Sequence, residues 1–423
     1  MELNITAYIN QTIKCTCGRE HFCKLDSVTV ENGALNKLPE ILKDSQHILL
    51  AADENTFAAC GQRVKDIMGD RIADTLVYRC EGFLVPDEQA VAALEAKLTD
   101  EIDLILGVGS GVINDICKYV SYQHGMEYAI VGTAPSMDGY ASSGAAMIMG
   151  GMKITYTTHA PKHIIADVDV LKNAPLDMIR AGYGDIIGKY SSLNDWRLAA
   201  LINGEHFCPE IYKLVYEVTE ETRRQVKNIV ACEDEALAFL FKALVLIGIT
   251  LTLLGSTRPG SGSEHHLSHF FEIVGLIHNQ PYFLHGTDVA YSAVVTAGMR
   301  ERICKIAEPV FASVPRETRL KAYERIYASF AGDVLGIQEE AHSYEKDRTQ
   351  QYAVLWPEIK HILSACPAAE EMKNMFVDAG YDMDAFENMY GREKIRDAQF
   401  YGKDLKDRYS VLWLYYALFG GEA

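Results

Sequence analysis

The feature that most constrains the fold is a change of hydrophobic rhythm partway along the chain. Before about Leu176, short apolar runs alternate with stretches of helical spacing. Residues 47–53 read as a buried strand ending in a carboxylate, and residues 54–68 follow with helical spacing. Residues 102–108, 128–132 and 163–167 read as three further strands. Uninterrupted apolar strands separated by helices are the mark of a parallel sheet, whose crossover helices cover both faces. After Ile179 the apolar residues recur at helical spacing, as in residues 212–240 and 318–330. The expectation is an α/β N-terminal domain with a parallel sheet over residues 1–175 and an all-helical C-terminal domain over residues 176–423. The boundary is placed near Asn173-Ala174-Pro175, where proline follows a turn-forming residue.

A chain of 423 residues is a suitable size for two packed domains. Its net charge of -18 argues against a nucleic acid or other polyanion as partner. A small phosphorylated substrate stays compatible, because a pocket can be locally positive inside an acidic protein. The N-terminus has neither the basic start nor the apolar run of a secretory signal. The longest apolar stretches, residues 238–254 and 409–419, are interrupted by Lys242 and Thr250 and by Ser410 and paired tyrosines. They read as buried helices rather than membrane spans. Ten cysteines spread through a chain that needs no staples point to a reducing, cytoplasmic setting. The one dense group is Cys15, Cys17 and Cys23, with His21 nearby. Its CxC spacing lacks the usual CxxC geometry, so we read small buried side chains in a hairpin, with a zinc knuckle as the alternative.

Gly107, Gly109, Ser110 and Gly111 lie between a buried strand and a helix expected to start near Val112. Such glycines allow a tight turn and let a pyrophosphate approach the helix N-terminus; a plain strand-to-helix turn is the other reading. Asp53, ending a strand, is placed either to accept from an adenosine ribose or to cap the next helix. The loop from Gly132 to Ser143 is crowded with hydroxyls and small residues, as a cofactor-facing turn would be. In the helical half, His265 and His269 fall one turn apart, with His266 between them and His285 downstream. With Asp185 at a glycine-lined turn, they offer an oxygen and two imidazoles to Zn, Ni or Fe. From spacing alone, His265 and His269 would be the paired ligands.

Taken together, Gly109-Ser110-Gly111 with Asn114-Asp115, Thr133 to Asp138 with Ser142, Gly184-Asp185, Ser263 to His269 and His285-Gly286 resemble the bacterial sn-glycerol-1-phosphate dehydrogenases. These lie within the superfamily of iron-type alcohol dehydrogenases, glycerol dehydrogenases and dehydroquinate synthases. The resemblance implies a dinucleotide-binding N-terminal domain and a helical C-terminal domain, the dehydroquinate synthase-like arrangement. It also implies a different ligand set: Asp185, His265 and His285 for the metal, with Asp138 and His269 facing substrate and Asp185 bordering both. Asp53 would hold the ribose, and Gly109, Ser110, Gly111, Val112 and Ile113 the pyrophosphate. Thr133, Ala134, Pro135, Ser136 and Ser142 would line the nicotinamide side. Val112 stands where the family often has threonine or serine, so the backbone would carry that contact.

The expected activity is NAD(P)-dependent reduction of dihydroxyacetone phosphate to sn-glycerol 1-phosphate, with one divalent metal per subunit. Asp53 favours NAD over NADP. Arg258, Lys153 and Lys189 are the cations considered for the substrate phosphate. The alternatives are a dehydrogenase for glycerol or another small polyol, a lyase of the dehydroquinate synthase type, and a silent binding or regulatory protein on the same scaffold. The resemblance also implies a homo-oligomer, with a dimer the simplest case. The aromatic tail from about Glu370, with Tyr390, Phe400, Tyr401, Tyr409, Trp413, Tyr415 and Tyr416, is expected to pack on the body or on another subunit.

Overall fold

The computed structural model describes residues 3–79, 82 and 84–422, so the first two residues of the N-terminal start lie outside the described residues. Two compact units emerge: Met1–Ile186 with Glu220–Thr257, and Ile187–Thr219 with Arg258–Ala423.

The first unit opens with a small antiparallel hairpin, β1 (Ile13–Lys14) and β2 (Glu20–His21). Then come β3 (Ser27–Glu31), β4 (Ile48–Asp53), β5 (Ile72–Tyr78), β6 (Leu104–Gly109), β7 (Glu127–Gly132), the hairpin strands β8 (Gly144–Met149) and β9 (Met152–Thr157), and β10 (His163–Asp167). Six of them form one sheet in the order β3-β10-β7-β6-β4-β5. Every pairing in it is parallel. The central strands are buried on both faces: Leu50 and Leu106 join the helices carrying Leu35 and Val64 on one side, while Leu49, Ile105 and Ile130 are equally buried on the other. Two-sided burial explains why these strands read as continuous apolar runs.

The order of the strands also locates a crevice. From β4 the chain moves outward to β5, then returns past β4 to β6, so the direction of winding reverses between β4 and β6. In open parallel sheets, ligands bind beyond the carboxyl ends of the strands at such a reversal. Asp53 ends β4 and Gly109 ends β6, with Ala52 paired to Val108 just before them.

The four strands expected from sequence are all present, shifted by two residues at most at an end. The edge strands β3 and β5 escaped that reading because their residues are mostly half-buried and polar ones intervene. The helix expected over residues 54–68 is three pieces, with a π-helical stretch Phe57–Gly61 between Glu54–Thr56 and Gln62–Met68. The units do not divide at Pro175. The helix Leu176–Ile187 begins in the first unit, and Asp234–Leu254 lies wholly within it. Periodicity identifies helices but not the surface they cover. Here Gly182 lets the first of these helices lie against the loop after β7, where any Cβ would fall 1.8 Å from the Pro135 carbonyl oxygen. Asp234–Leu254 is the only helix among the described residues long and apolar enough to cross a membrane, and 78% of its most apolar window is buried. It serves as a core helix.

The second unit is helical throughout its described residues. A buried ion pair, Arg300 to Asp195 at 2.9 Å, ties it together. Asp195 also accepts from the backbone of Ser263 and Val411, at the starts of the helices Ser263–His278 and Val411–Phe419.

Candidate active site

In the first unit the candidate cofactor-binding groups are mainly backbone. The helix Gly111–Gln123 starts immediately after β6, and its N-cap residue Ser110 makes no side-chain cap. The leading N–H groups of Gly111, Val112 and Ile113 therefore point outward, with the positive end of the helix dipole behind them. Gly109 is required by proximity, since a Cβ there would meet Ile113 at 2.6 Å. Asp53 sits at the neighbouring strand end. It caps Glu54–Thr56 in a capping box: Oδ1 accepts from the Thr56 N–H at 2.8 Å, and the Asp53 N–H donates to Thr56 Oγ1 at 3.0 Å. Capping is thus an observed role. A carboxylate has a second oxygen and can take a ribose hydroxyl as well.

The loop after β7 is held in one shape by several bonds. Tyr140 donates to the Ala134 carbonyl at 2.7 Å, Thr252 to Ala141 at 2.9 Å, and Ser142 to Gly139 at 3.1 Å. The Asp138 N–H donates to Asp185 Oδ2 at 3.0 Å, so the two acids named from the resemblance are adjacent in this unit. Thr133, Ala134, Ser136, Ser142 and Asp185 are all buried.

A residue that sequence reasoning passed over organises this loop. Lys118 is fully buried, and its ammonium donates to the carbonyls of Gly139 (3.0 Å) and Gly144 (2.8 Å), to Ser142 (3.3 Å) and to Asp115 (3.3 Å). Burial pushes the Lys118 ammonium below its ordinary range and the Asp115 carboxyl above its own. The signal was available: Asn114, Lys118 and Ser121 form a polar stripe at i, i+4 and i+7 on the helix, and all three are buried.

In the second unit the candidate groups are side chains. His265 lies in the first turn of Ser263–His278, and His285 begins the helix His285–Cys304. Their rings are 5.1 Å apart between centroids, and a donor atom of one lies within 4.8 Å of a donor atom of the other. His269 completes a triangle, 5.3 Å from His285 and 6.1 Å from His265. Both prospective ligands have Nδ1 committed. Glu264 Oε1 already accepts the Gly262 N–H at 2.8 Å, so His265 Nδ1 is the donor in its 2.7 Å contact with that oxygen. Ser268 donates to the His285 carbonyl at 3.3 Å, which leaves its oxygen to accept from His285 Nδ1, also at 3.3 Å. In each neutral ring Nε2 is then the unprotonated nitrogen, the one able to donate a lone pair to a metal. Burial pushes the Glu264 carboxyl up. His266 is fully buried, and burial together with the charges of Lys406, Arg408 and Arg258 holds it neutral, well below the usual imidazole range.

Two of the cations considered for phosphate are engaged elsewhere. Arg258 forks onto Glu205 through Nε and Nη2 at 2.6 and 2.5 Å and donates to the Tyr409 carbonyl at 2.8 Å. Lys189, fully buried, donates to the Gly260 carbonyl at 2.9 Å. Lys153 lies on β9 in the first unit. The aromatic tail packs on its own unit, and all seven of its named aromatics are buried. Tyr390 does more than pack. Its hydroxyl contacts both oxygens of Asp288 at 2.8 and 3.0 Å and accepts the Phe283 N–H at 3.2 Å, bracketing His285 on either side in sequence.

Comparison with known proteins places the chain among relatives. Residues 29–175 match the family model described as iron-containing alcohol dehydrogenase. The chain is 35% identical over 293 residues to a glycerol-1-phosphate dehydrogenase [NAD(P)+] of Halalkalibacterium halodurans, covering 68% of this chain and 73% of that one. A Bacillus licheniformis protein of the same name is 28% identical over 418 residues, 97% of this chain and 94% of its own. Among solved structures, an archaeal halo-thermophilic alcohol dehydrogenase from a Red Sea brine pool superposes with a TM-score of 0.61 at 15% identity, covering 97% and 94%. The chain belongs to the iron-type alcohol dehydrogenase and glycerol dehydrogenase superfamily.

Proposed function

We propose that this chain is an NAD(P)-dependent sn-glycerol-1-phosphate dehydrogenase that uses one divalent metal ion. The observation that carries the reading is the pair His265 and His285, each with Nδ1 engaged so that Nε2 is left as the donor. Asp185, buried in the first unit, is the third ligand on this reading, as the family pattern implies. One carboxylate and two imidazoles suit Zn, Ni or Fe and leave coordination positions for substrate oxygens. The phosphorylated three-carbon substrate is favoured by the relatives named glycerol-1-phosphate dehydrogenase, one of which matches nearly end to end.

Bound NAD(P)H supplies the hydride and the metal ion the Lewis acidity that polarises the ketone. The chain's own residues bind and orient. The N–H groups of Gly111, Val112 and Ile113 receive the pyrophosphate, Asp53 the ribose, and the loop from Thr133 to Ser136 with Ser142 the nicotinamide. Asp138 positions a substrate hydroxyl. His269, at 9% exposure, relays the proton that the C2 oxygen gains as C2 gains hydride.

The test is NADH oxidation by metal-stripped protein given dihydroxyacetone phosphate, before and after adding Zn, Ni or Fe, with dihydroxyacetone in parallel. Metal-dependent turnover on the phosphate alone is expected. Turnover on the unphosphorylated ketone instead would move the substrate to simple polyols, and silence with every metal would sink the reading.

A further inference from the structure

A second cluster of metal-binding side chains lies in the first unit, in the opening hairpin and apart from the residues assigned above. The turn between β1 and β2 is tight. Cys15 N–H donates to the Arg19 carbonyl at 3.2 Å, and Gly18 N–H donates to the Cys15 carbonyl at 3.1 Å. Gly18 adopts a φ of +84°, a conformation strained for any residue with a Cβ. This reversal gathers Cys15, Cys17 and His21, whose donor atoms all lie within 4.8 Å of one another. Cys23, the remaining thiol of the segment, is different. It is fully buried and its thiol is pushed up to about 12, as expected of a small apolar side chain in a core. The hairpin expected from sequence is present, but Cys15 and Cys17 are half-buried rather than core residues.

The orientation of His21 is what turns a cluster into a site. Its Nδ1 lies 2.8 Å from the carbonyl of Leu253, near the end of the helix Asp234–Leu254. A carbonyl oxygen only accepts, so Nδ1 carries the proton and Nε2 presents its lone pair. Nε2 is the atom that faces Cys17 Sγ, at 3.3 Å. A ring with Nδ1–H fixed by a carbonyl and an unprotonated Nε2 facing thiols is the arrangement a ligating histidine takes. Tetrahedral zinc, with Zn–S of about 2.3 Å and Zn–N of about 2.0 Å, sets its donors roughly 3.5–3.8 Å apart, within reach of the spacing here.

We infer that Cys15, Cys17 and His21 hold a structural zinc ion, distinct from the metal of the proposed reaction. The ion binds as two thiols lose their protons, with no redox change. Through the His21–Leu253 bond it clamps the hairpin, too short to be stable alone, onto a core helix of the same unit.

Cobalt(II) exchanged into the intact chain tests this without any variant. The proposed Asp185, His265 and His285 set contains no thiolate, so thiolate-to-cobalt charge-transfer absorption reports only the hairpin. That absorption is expected in the wild-type chain and in His285→Ala, and is expected to vanish in Cys15→Ser/Cys17→Ser. Zinc content by mass spectrometry should fall by one equivalent in the cysteine variant. A cobalt-loaded wild-type chain with no charge-transfer band, or a band that survives in the double serine variant, would overturn the assignment. A bare Cys17–His21 hydrogen bond gives the first of these results. Both outcomes are independent of whether the chain reduces dihydroxyacetone phosphate.

Discussion

The two units equip a dehydrogenase in opposite ways. On the proposed function the first would meet its ligand with backbone: an uncapped helix N-terminus, a glycine that admits the close approach of Ile113, and a loop pinned by carbonyl and hydroxyl bonds. The second would meet its ligand with side chains, two imidazoles whose tautomers are set by Glu264 and Ser268. Backbone donors are insensitive to residue identity but sensitive to shape. Ligating side chains tolerate changes around them but not their own replacement. The first unit should therefore fail through packing and the second through chemistry.

The largest effect is expected from His285→Ala. Loss of a ligand forfeits several kcal/mol of charge stabilisation, so kcat/KM should fall by about 10³-fold or more. Metal content should fall with it while NADH affinity, measured by fluorescence, stays at the wild-type value. Full activity in the metal-free variant would break the contrast between the units. Next is Lys118→Met in the first unit, the place where that unit does rely on a side chain. Removing the ammonium leaves the half-buried Asp115 and the carbonyls of Gly139 and Gly144 without their donor, and denaturant unfolding should show a loss of about 3 kcal/mol. NADH binding should weaken because the loop carrying Ser142 loses its tether. Unchanged NADH affinity would show that the loop needs only its backbone bonds.

The two kinds of site were unequally legible in the sequence. The sheet strands declared themselves because burial on both faces leaves uninterrupted apolar runs, and Gly109-Ser110-Gly111 followed one of them directly. Edge strands β3 and β5, half-buried and mixed in polarity, gave no such signal. Histidine spacing placed His265 and His269 on one helix, and the structure adds His285 to them as a triangle. Periodicity could not supply that contact, since it depends on how two helices pack. Family pattern, rather than spacing, singled out His285. The supporting groups, Lys118 and Glu264, were visible as residues, but burial and partners give them their meaning.

Glu264→Gln tests how far the second unit's chemistry extends beyond the ligands. Glutamine keeps an oxygen for the Gly262 N–H but is a weaker acceptor for His265 Nδ1. Metal affinity should fall by about 10–100-fold, the usual effect of replacing a carboxylate behind a ligating histidine. Titration with a competing chelator would measure it, and affinity equal to wild type would mean that His265 is oriented by packing alone.

The smallest effect, and the sharpest for the comparison, is expected from Tyr390→Phe. The phenol is pushed above its ordinary range by burial, so it stays protonated and donates to Asp288 while accepting from Phe283. The ring is stacked on Phe271 at 4.1 Å, and phenylalanine preserves that contact. Only the hydroxyl's bonds are lost. Stability should drop by about 1.5 kcal/mol, the low end for a hydrogen bond to a charged group. If the tail merely fills space, metal affinity will not change. If Tyr390 positions the start of the helix that carries His285, metal affinity will fall as well, with KM for NADH untouched. A loss of NADH affinity instead would mean that side-chain chemistry in the second unit governs the backbone cradle of the first, and the division between them would have to be abandoned.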